Sequence, residues 1–132
     1  MITYKELLGS HTIAEVPIAH QHNLKELLIC VNKLRSSYGM PMVVTSPYRS
    51  MQEHLRIYAA KGITDRTKIP MQSKHLEGNA VDFADPFGQL YKWAFENQDR
   101  MEAFGIWCEK DTKGWLHCQR VPPKSGARFF LP

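Results

Sequence analysis

The sequence predicts an α+β fold, in which helices accompany a small sheet. Three observations support this prediction. The length of 132 residues suits one domain with a real core. Some segments repeat apolar residues at helical spacing, whereas others are short, β-branched or alternating. Finally, two of the strand-like segments flank a turn-forming run, which predicts an antiparallel hairpin.

The first half of the chain predicts a long helix, a strand and a second helix. Residues 23–38 form the long helix, because leucine and valine recur every three or four positions, and Asn23 is a suitable N-cap. The β-branched run at 42–45 predicts a buried strand. A second helix follows at 51–61. Residues 63–71 are polar and lack a clear period, so we expect a surface loop there.

The second half predicts three strands, a helix and an ordered tail. Residues 80–84 alternate like a strand, and 89–101 carry apolar residues at helical intervals. The segments 106–110 and 115–119 flank a turn and predict the hairpin. The tail over 121–132 is basic and contains proline and glycine, yet it ends in an apolar run. We therefore expect it to pack against the domain.

Composition excludes several classes of protein. An apolar fraction of 43% with 23% charged residues is typical of a folded chain. The longest apolar stretches are far shorter than the roughly 20 residues of a membrane-spanning helix, so we expect no membrane insertion. The N-terminus lacks the pattern of a secretory signal. The net charge of +4 is mild, and no basic patch interleaved with aromatics predicts nucleic-acid binding.

The three cysteines indicate a reducing compartment. Cys30, Cys108 and Cys118 are an odd number and form no CxxC pair. This argues against a disulfide framework and against a thiolate zinc site. We interpret them as small core residues.

The segment 73–82 carries the candidate chemistry. It places His75 and Asp82 on either side of Gly78, which would allow a turn that brings the two side chains together. An aspartate on an apolar strand needs a metal, an arginine or several donors to offset its desolvation. With His117 the set can hold a tetrahedral Zn²⁺ and leave one position open. The alternative is two ordinary, partly buried histidines and an aspartate that caps a turn.

Two motifs carry a resemblance to a known family. The pattern Ser-x-His-x-x-Gly-x-Ala-x-Asp is followed downstream by Trp-x-His, and the matching positions are Ser73, His75, Gly78, Ala80, Asp82, Trp115 and His117. The chain resembles, from about residue 43 to 130, the zinc D-alanyl-D-alanine carboxypeptidases, a family that includes VanX- and VanY-type enzymes and phage L-alanyl-D-glutamate endolysins. The resemblance implies a Hedgehog/DD-peptidase-like single domain over 1–132, with an antiparallel sheet, flanking helices and Zn²⁺ on His75, Asp82 and His117.

The resemblance also implies roles for other residues. Arg49 lies in a segment similar to the family's Ser-Gly-Tyr-Arg-Ser and would stabilise the oxyanion and bind substrate. Ser73 would contact substrate or orient a ligand, and Gln119 shares the face of His117 and could do likewise. Trp115 would wall the substrate cleft. The alternatives are a surface arginine at Arg49 and a turn-forming serine at Ser73.

The general base departs from the family's pattern. Better-known members carry an acid three positions before the last histidine, where it passes a proton from the attacking water to the leaving amine. Here that position is Gly114. Glu109 and Asp111 are the nearest acids on the predicted hairpin, and we favour Glu109. The alternative is that both belong to a solvated hairpin end.

Two functions follow from these residues. The first is a zinc metallopeptidase that cuts a peptide bond in bacterial peptidoglycan, as a carboxypeptidase or an endolysin-like endopeptidase. The resemblance then implies a phage-type protein that stays in the cytoplasm until its release to the wall, or that is carried in the virion. The second is a non-catalytic structural or virion-associated module that retains the fold and the zinc site, and Gly114 is its main support.

Overall fold

The computed structural model describes residues 1–132 and confirms the α+β fold. The five helices are α1 (Tyr4–Leu8), α2 (Ile18–Tyr38), α3 (Met51–Ala60), α4 (Gln89–Glu96) and α5 (Gln98–Phe104). The five strands are β1 (Val44–Ser46), β2 (Ala80–Asp85), β3 (Trp107–Glu109), β4 (Gly114–Gln119) and β5 (Phe129–Phe130). Short 3₁₀ helices cover Ile13–Glu15, Arg66–Lys68 and Lys74–Glu77.

One mixed sheet with the strand order β1-β2-β4-β3-β5 forms the centre of the fold. The four strands from β1 to β3 are joined by antiparallel pairs, and β3 and β4 form the predicted hairpin. The last strand, β5, pairs with β3 in parallel. Backbone hydrogen bonds from Cys108 N to Arg128 O (2.8 Å) and from Lys110 N to Phe130 O hold it there. The tail therefore packs on the domain and extends the sheet by a parallel edge.

Alternation along β2 separates the core from the opposite face of the sheet. Val81 and Phe83 are fully buried in the hydrophobic core, whereas Asp82 and Ala84 are only partly buried. The register of β2 with β4 places Asp82 directly opposite His117. Directly opposite residues of an antiparallel pair point to the same face. The sheet itself therefore brings these two side chains together.

Helix α2 packs the other side of the core and begins five residues before the predicted start. Its buried residues Leu24, Leu27, Val31 and Leu34 follow the predicted helical spacing. The predicted N-cap at Asn23 is wrong, since the helix begins at Ile18 after Pro17. Residues 18–22 are polar apart from an exposed isoleucine and an alanine, so they continue the helix without extending its apolar stripe. None of the five helices combines the length and the apolar character that a membrane span requires.

Two further differences have local causes. Helix α1 was not predicted, although Thr3 and Glu6 form a reciprocal capping box at its start. The predicted helix over 89–101 is two helices, because Asn97 leaves the helical conformation (φ −122°, ψ 44°). The side chain of Asn97 donates to the carbonyl of Trp93 at 2.8 Å and so binds a free C=O at the end of α4.

Candidate metal centre

A tight turn before β2 brings His75 to Asp82. The 3₁₀ helix Lys74–Glu77 ends at Gly78, whose φ of +78° lies in the left-handed region. A Cβ at this position would lie 2.8 Å from the carbonyl oxygen of His20 and 2.9 Å from Leu24 Cγ. Helix α2 therefore packs so closely against the turn that only glycine fits there.

The three predicted ligands form one cluster. His117 Nδ1 lies 2.8 Å from Asp82 Oδ1, and His75 Nε2 lies 3.3 Å from the same oxygen. One ligand atom from each residue lies within 4.8 Å of the other two. His75 and His117 are 6% and 5% exposed, so the cluster is shielded from solvent on most sides. The three groups are close enough to share one ion.

The outward nitrogen of each histidine is held by a fixed acceptor. His75 Nδ1 lies 3.3 Å from the carbonyl oxygen of Pro47, and His117 Nε2 lies 2.9 Å from Gln119 Oε1. The amide nitrogen of Gln119 donates to the carbonyl of Val121, which turns its oxygen toward His117. Since both partners are acceptors, each outward nitrogen keeps a proton. Without a metal, His75 Nε2 and His117 Nδ1 donate to Asp82 Oδ1; when a metal binds, they release these protons and offer their lone pairs to the ion.

The charge of the cluster favours a cation. Burial alone would raise the pKa of Asp82, but hydrogen bonds from His117 and His75 outweigh burial and hold that pKa well below its usual range. Burial alone would lower the pKa of His117, and the hydrogen bond and charge of Asp82 raise it instead. Asp82 is thus an ionised carboxylate between two nitrogen ligands. Two imidazoles and one carboxylate are a donor set that Zn²⁺ accepts, and these residues fit the ion.

The cluster opens into a cleft of about 610 Å³ that contains the other predicted site residues. Arg49, Ser73, Glu109 and Trp115 all line the cleft beside the ligands. Trp115 is 40% exposed and stands at its edge. The sequence-predicted site residues therefore meet in one place.

Glu109 and Asp111 occupy different positions. The register of β3 with β4 pairs Cys108 with Cys118, and one step further along the strands Glu109 faces His117. Glu109 Oε1 lies 4.0 Å from His117 Nδ1. Asp111 is exposed in the turn and does not line the cleft. Of the two acids, only Glu109 is in position to exchange a proton at the site.

Gly114 lies away from the cluster. It is the exposed first residue of β4, pairs with Asp85, and does not line the cleft. Open space surrounds the position of a Cβ there. The chain therefore has no acidic side chain at this end of β4, and the acid nearest to the ligands comes from the neighbouring strand.

Sequence analysis missed two histidines that lie behind the site. His20 lies on α2, and its Nδ1 lies 3.0 Å from the hydroxyl of Tyr48. His54 is fully buried, and it contacts both Arg49 and the carbonyl of Pro70. Neither histidine has a ligand partner at a recognisable spacing. No local pattern in the sequence marks either residue, because both contacts depend on tertiary packing.

A cleft with two histidines, an aspartate, a nearby carboxylate and an arginine is typical of a metal-dependent hydrolase. A family model described as Peptidase M15 matches residues 1–119. The chain belongs to this family, whose members are zinc-dependent peptidases, and the resemblance seen in the sequence is confirmed. Searches of curated proteins and of solved structures found no match.

Proposed function

We propose that the protein is a zinc metallopeptidase that hydrolyses a peptide bond in the peptides of bacterial peptidoglycan. One observation carries this proposal. A single cleft contains the three ligands His75, Asp82 and His117 together with an acid, Glu109, and a cation, Arg49. These are the groups that metal-assisted hydrolysis of an amide requires.

Each residue has a defined task in this proposal. When bound by the three ligands, Zn²⁺ supplies Lewis-acid polarisation of a carbonyl and lowers the pKa of a water molecule. The carboxylate of Glu109 takes a proton from the attacking water and delivers it to the leaving amine. The guanidinium of Arg49 donates to the oxygen of the scissile carbonyl as it becomes an oxyanion. The backbone N–H of Arg49 donates to the carbonyl of His75 at 3.2 Å, which ties this segment to the ligand turn.

The distribution of charge supports an anionic peptide as substrate. Residues 56–74 contain five Lys or Arg and one Asp, so this segment alone carries the net charge of +4 of the whole chain. Its end, from Pro70 to Lys74, lines the cleft. Of the five cations only Lys74 lines the cleft, where it joins Arg49, and an excess of positive charge on the segment that leads into the cleft raises the local concentration of anionic ligands. The stem peptides of peptidoglycan carry free carboxylates and fit this field.

The edge of the cleft supports the contacts proposed for substrate. Ser73 is partly buried and lines the cleft, with its hydroxyl available to a peptide group. Trp115 offers a flat apolar surface at the opening. In the proposal, a terminal carboxylate bound near Lys74 makes the enzyme a carboxypeptidase, and an extended peptide across the opening makes it an endopeptidase. The phage origin and the release to the wall or carriage in the virion stay predictions from the resemblance.

A second candidate is a non-catalytic module that keeps the fold and the zinc site, for example as a component of a phage particle. The observation that favours it is Gly114, which leaves the position of the family's usual acid without a side chain. This candidate predicts stoichiometric zinc with no turnover.

Mass spectrometry of peptidoglycan fragments tests the proposal. Purified peptidoglycan is incubated with the protein in the presence of zinc and, separately, in the presence of a chelator. New fragments that appear only with zinc support the peptidase, and their masses identify the bond. Zinc-loaded protein that releases no fragments overturns the proposal and supports the non-catalytic module.

Two variants make this experiment specific. His117→Ala removes a ligand, so we expect loss of both zinc and activity. Glu109→Gln keeps all three ligands and is the matched control, with zinc retained and activity lost. Full activity in metal-free His117→Ala would contradict the proposed role of zinc.

A further inference from the structure

His54 is a fully buried polar side chain beside the cleft that the proposed chemistry does not use. It lies on α3, and its Nε2 lies 2.9 Å from the carbonyl oxygen of Pro70. A carbonyl oxygen only accepts, so His54 Nε2 carries the proton and donates. In a neutral ring the other nitrogen, Nδ1, is then an acceptor.

That acceptor faces Arg49. The Nη1 of Arg49 lies 3.4 Å from His54 Nδ1, a long hydrogen bond of the kind that catalytic groups often show before substrate binds. The pKa of His54 is lowered, first by burial and also by the nearby charges of Arg49, His75 and Lys61, although the bond to Pro70 opposes this. Burial and the nearby charges favour the neutral ring of His54. This is the form that can accept a hydrogen bond from the guanidinium of Arg49.

We propose that His54 is a positioning residue that holds the guanidinium of Arg49 toward the scissile carbonyl and links it to the segment of the cleft wall around Pro70. This inference rests on the proposed function, because it assigns a purpose to a contact of Arg49. A free arginine side chain loses rotamer entropy when it is fixed. A buried acceptor removes part of that cost before the transition state forms.

Two substitutions separate the two hydrogen bonds of His54. In His54→Gln the amide nitrogen takes the place of Nε2, so the bond to Pro70 is kept and the acceptor for Arg49 is lost. In His54→Asn the amide oxygen takes the place of Nδ1, so the acceptor is kept and the bond to Pro70 is lost. We expect a fall of about tenfold in kcat for His54→Gln with little change in KM, and rescue of most of that loss in His54→Asn.

A double-mutant cycle distinguishes positioning from a general structural role. If His54 acts through Arg49, then His54→Gln causes no further loss of kcat in an Arg49→Ala background. A tenfold loss in both backgrounds would overturn the inference. Zinc content is measured in every variant, and equal content shows that the ligand cluster is unchanged.

A spectroscopic measurement tests the contact between His54 and Arg49 independently of turnover. In ¹⁵N spectra of the wild-type protein we expect the ring of His54 to carry its proton on Nε2, with Nδ1 bare. We also expect slow exchange of an Arg49 guanidinium proton that is lost in His54→Gln and retained in His54→Asn. A proton on Nδ1, or equal exchange in all three proteins, overturns the inference. Absence of turnover in zinc-loaded wild type would instead overturn the proposed function and leave this measurement to decide about His54.

Discussion

Substitution of Gly78 by alanine tests the packing that positions His75. The residue has a φ of +78°, where an L side chain costs about 1–2 kcal/mol. The added Cβ would also lie 2.8 Å from the carbonyl oxygen of His20 and 2.9 Å from Leu24 Cγ. Such overpacking costs about 1–3 kcal/mol. Together these effects predict a loss of about 2–5 kcal/mol in the free energy of unfolding.

Gly62→Ala is the matched control. Gly62 has a φ of +81°, nearly the same as Gly78, but nothing lies within 4 Å of its Cβ position. It therefore carries only the backbone cost, about 1–2 kcal/mol. Any gain from a less flexible unfolded chain is shared by both variants and cancels in their difference. Gly78→Ala should be less stable than Gly62→Ala by about 1–3 kcal/mol.

Urea unfolding at constant m-value measures this difference, and zinc titration with a competing chelator measures its effect on the site. A shift of His75 should weaken zinc binding in Gly78→Ala and leave it unchanged in Gly62→Ala. Equal loss of stability in the two variants would refute this explanation, because it would mean that α2 leaves room for a Cβ at Gly78.

Four further predictions test the site. Glu109→Gln should lower kcat by about 100-fold or more at unchanged zinc content, because an amide cannot take the proton, while Asp111→Asn in the exposed turn should keep wild-type kcat. Gln119→Ala should weaken zinc binding by about tenfold in a chelator competition, because His117 loses its acceptor; unchanged affinity would dismiss this role. The pKa of His54 is lower in the folded protein than its ordinary 6.5, so its stabilising contribution is present above that pH and is lost as pH falls through the folded pKa. The urea midpoint should therefore drop more for wild type than for His54→Gln between about pH 7.5 and 5.5, and parallel drops would argue against a neutral buried ring. KM should rise with added salt, because Arg49 and Lys74 line the cleft and the segment that leads into it has excess positive charge, and a KM that does not change with salt would exclude electrostatic attraction of substrate.

Local pattern was enough to predict β2 and the β3–β4 hairpin, and the motif residues predicted the ligands. The buried strand predicted at 42–45 is wrong, since β1 covers Val44–Ser46, none of its residues is buried, and Val43 is 61% exposed. Alternation along 80–84 separates Val81 and Phe83 from Asp82, and the structure keeps this separation. The turn composition between β3 and β4 predicts their hairpin, and the motif residues around Gly78 predict the turn before β2. Each of these signals lies within a few residues of the feature that it predicts, which is why sequence suffices.

Tertiary contacts decided what the sequence did not predict. Helix α2 extends back to Ile18 without an apolar stripe, since its first turns are largely exposed and His20 contacts Tyr48, 28 positions away. His54 and Pro70 are 16 positions apart and meet only because α3 packs against the cleft wall. The parallel pairing of β5 likewise joins distant segments. The spacing of residues along the chain does not show which distant segments come into contact.

In the proposed function, the acid of the site comes from a neighbouring strand. Gly114 lies three residues before His117, at the exposed end of β4 and outside the cleft. Glu109 instead reaches the site from β3, and side chains directly across an antiparallel pair lie about 4.5–5.5 Å apart at Cβ. Its carboxylate lies 4.0 Å from His117 Nδ1, the nitrogen proposed to bind the metal, and so lies beside the proposed metal position. If Glu109 is the base, as the proposed function has it, the hairpin that positions His117 also supplies the acid, and this weakens the support that Gly114 gives to the non-catalytic module.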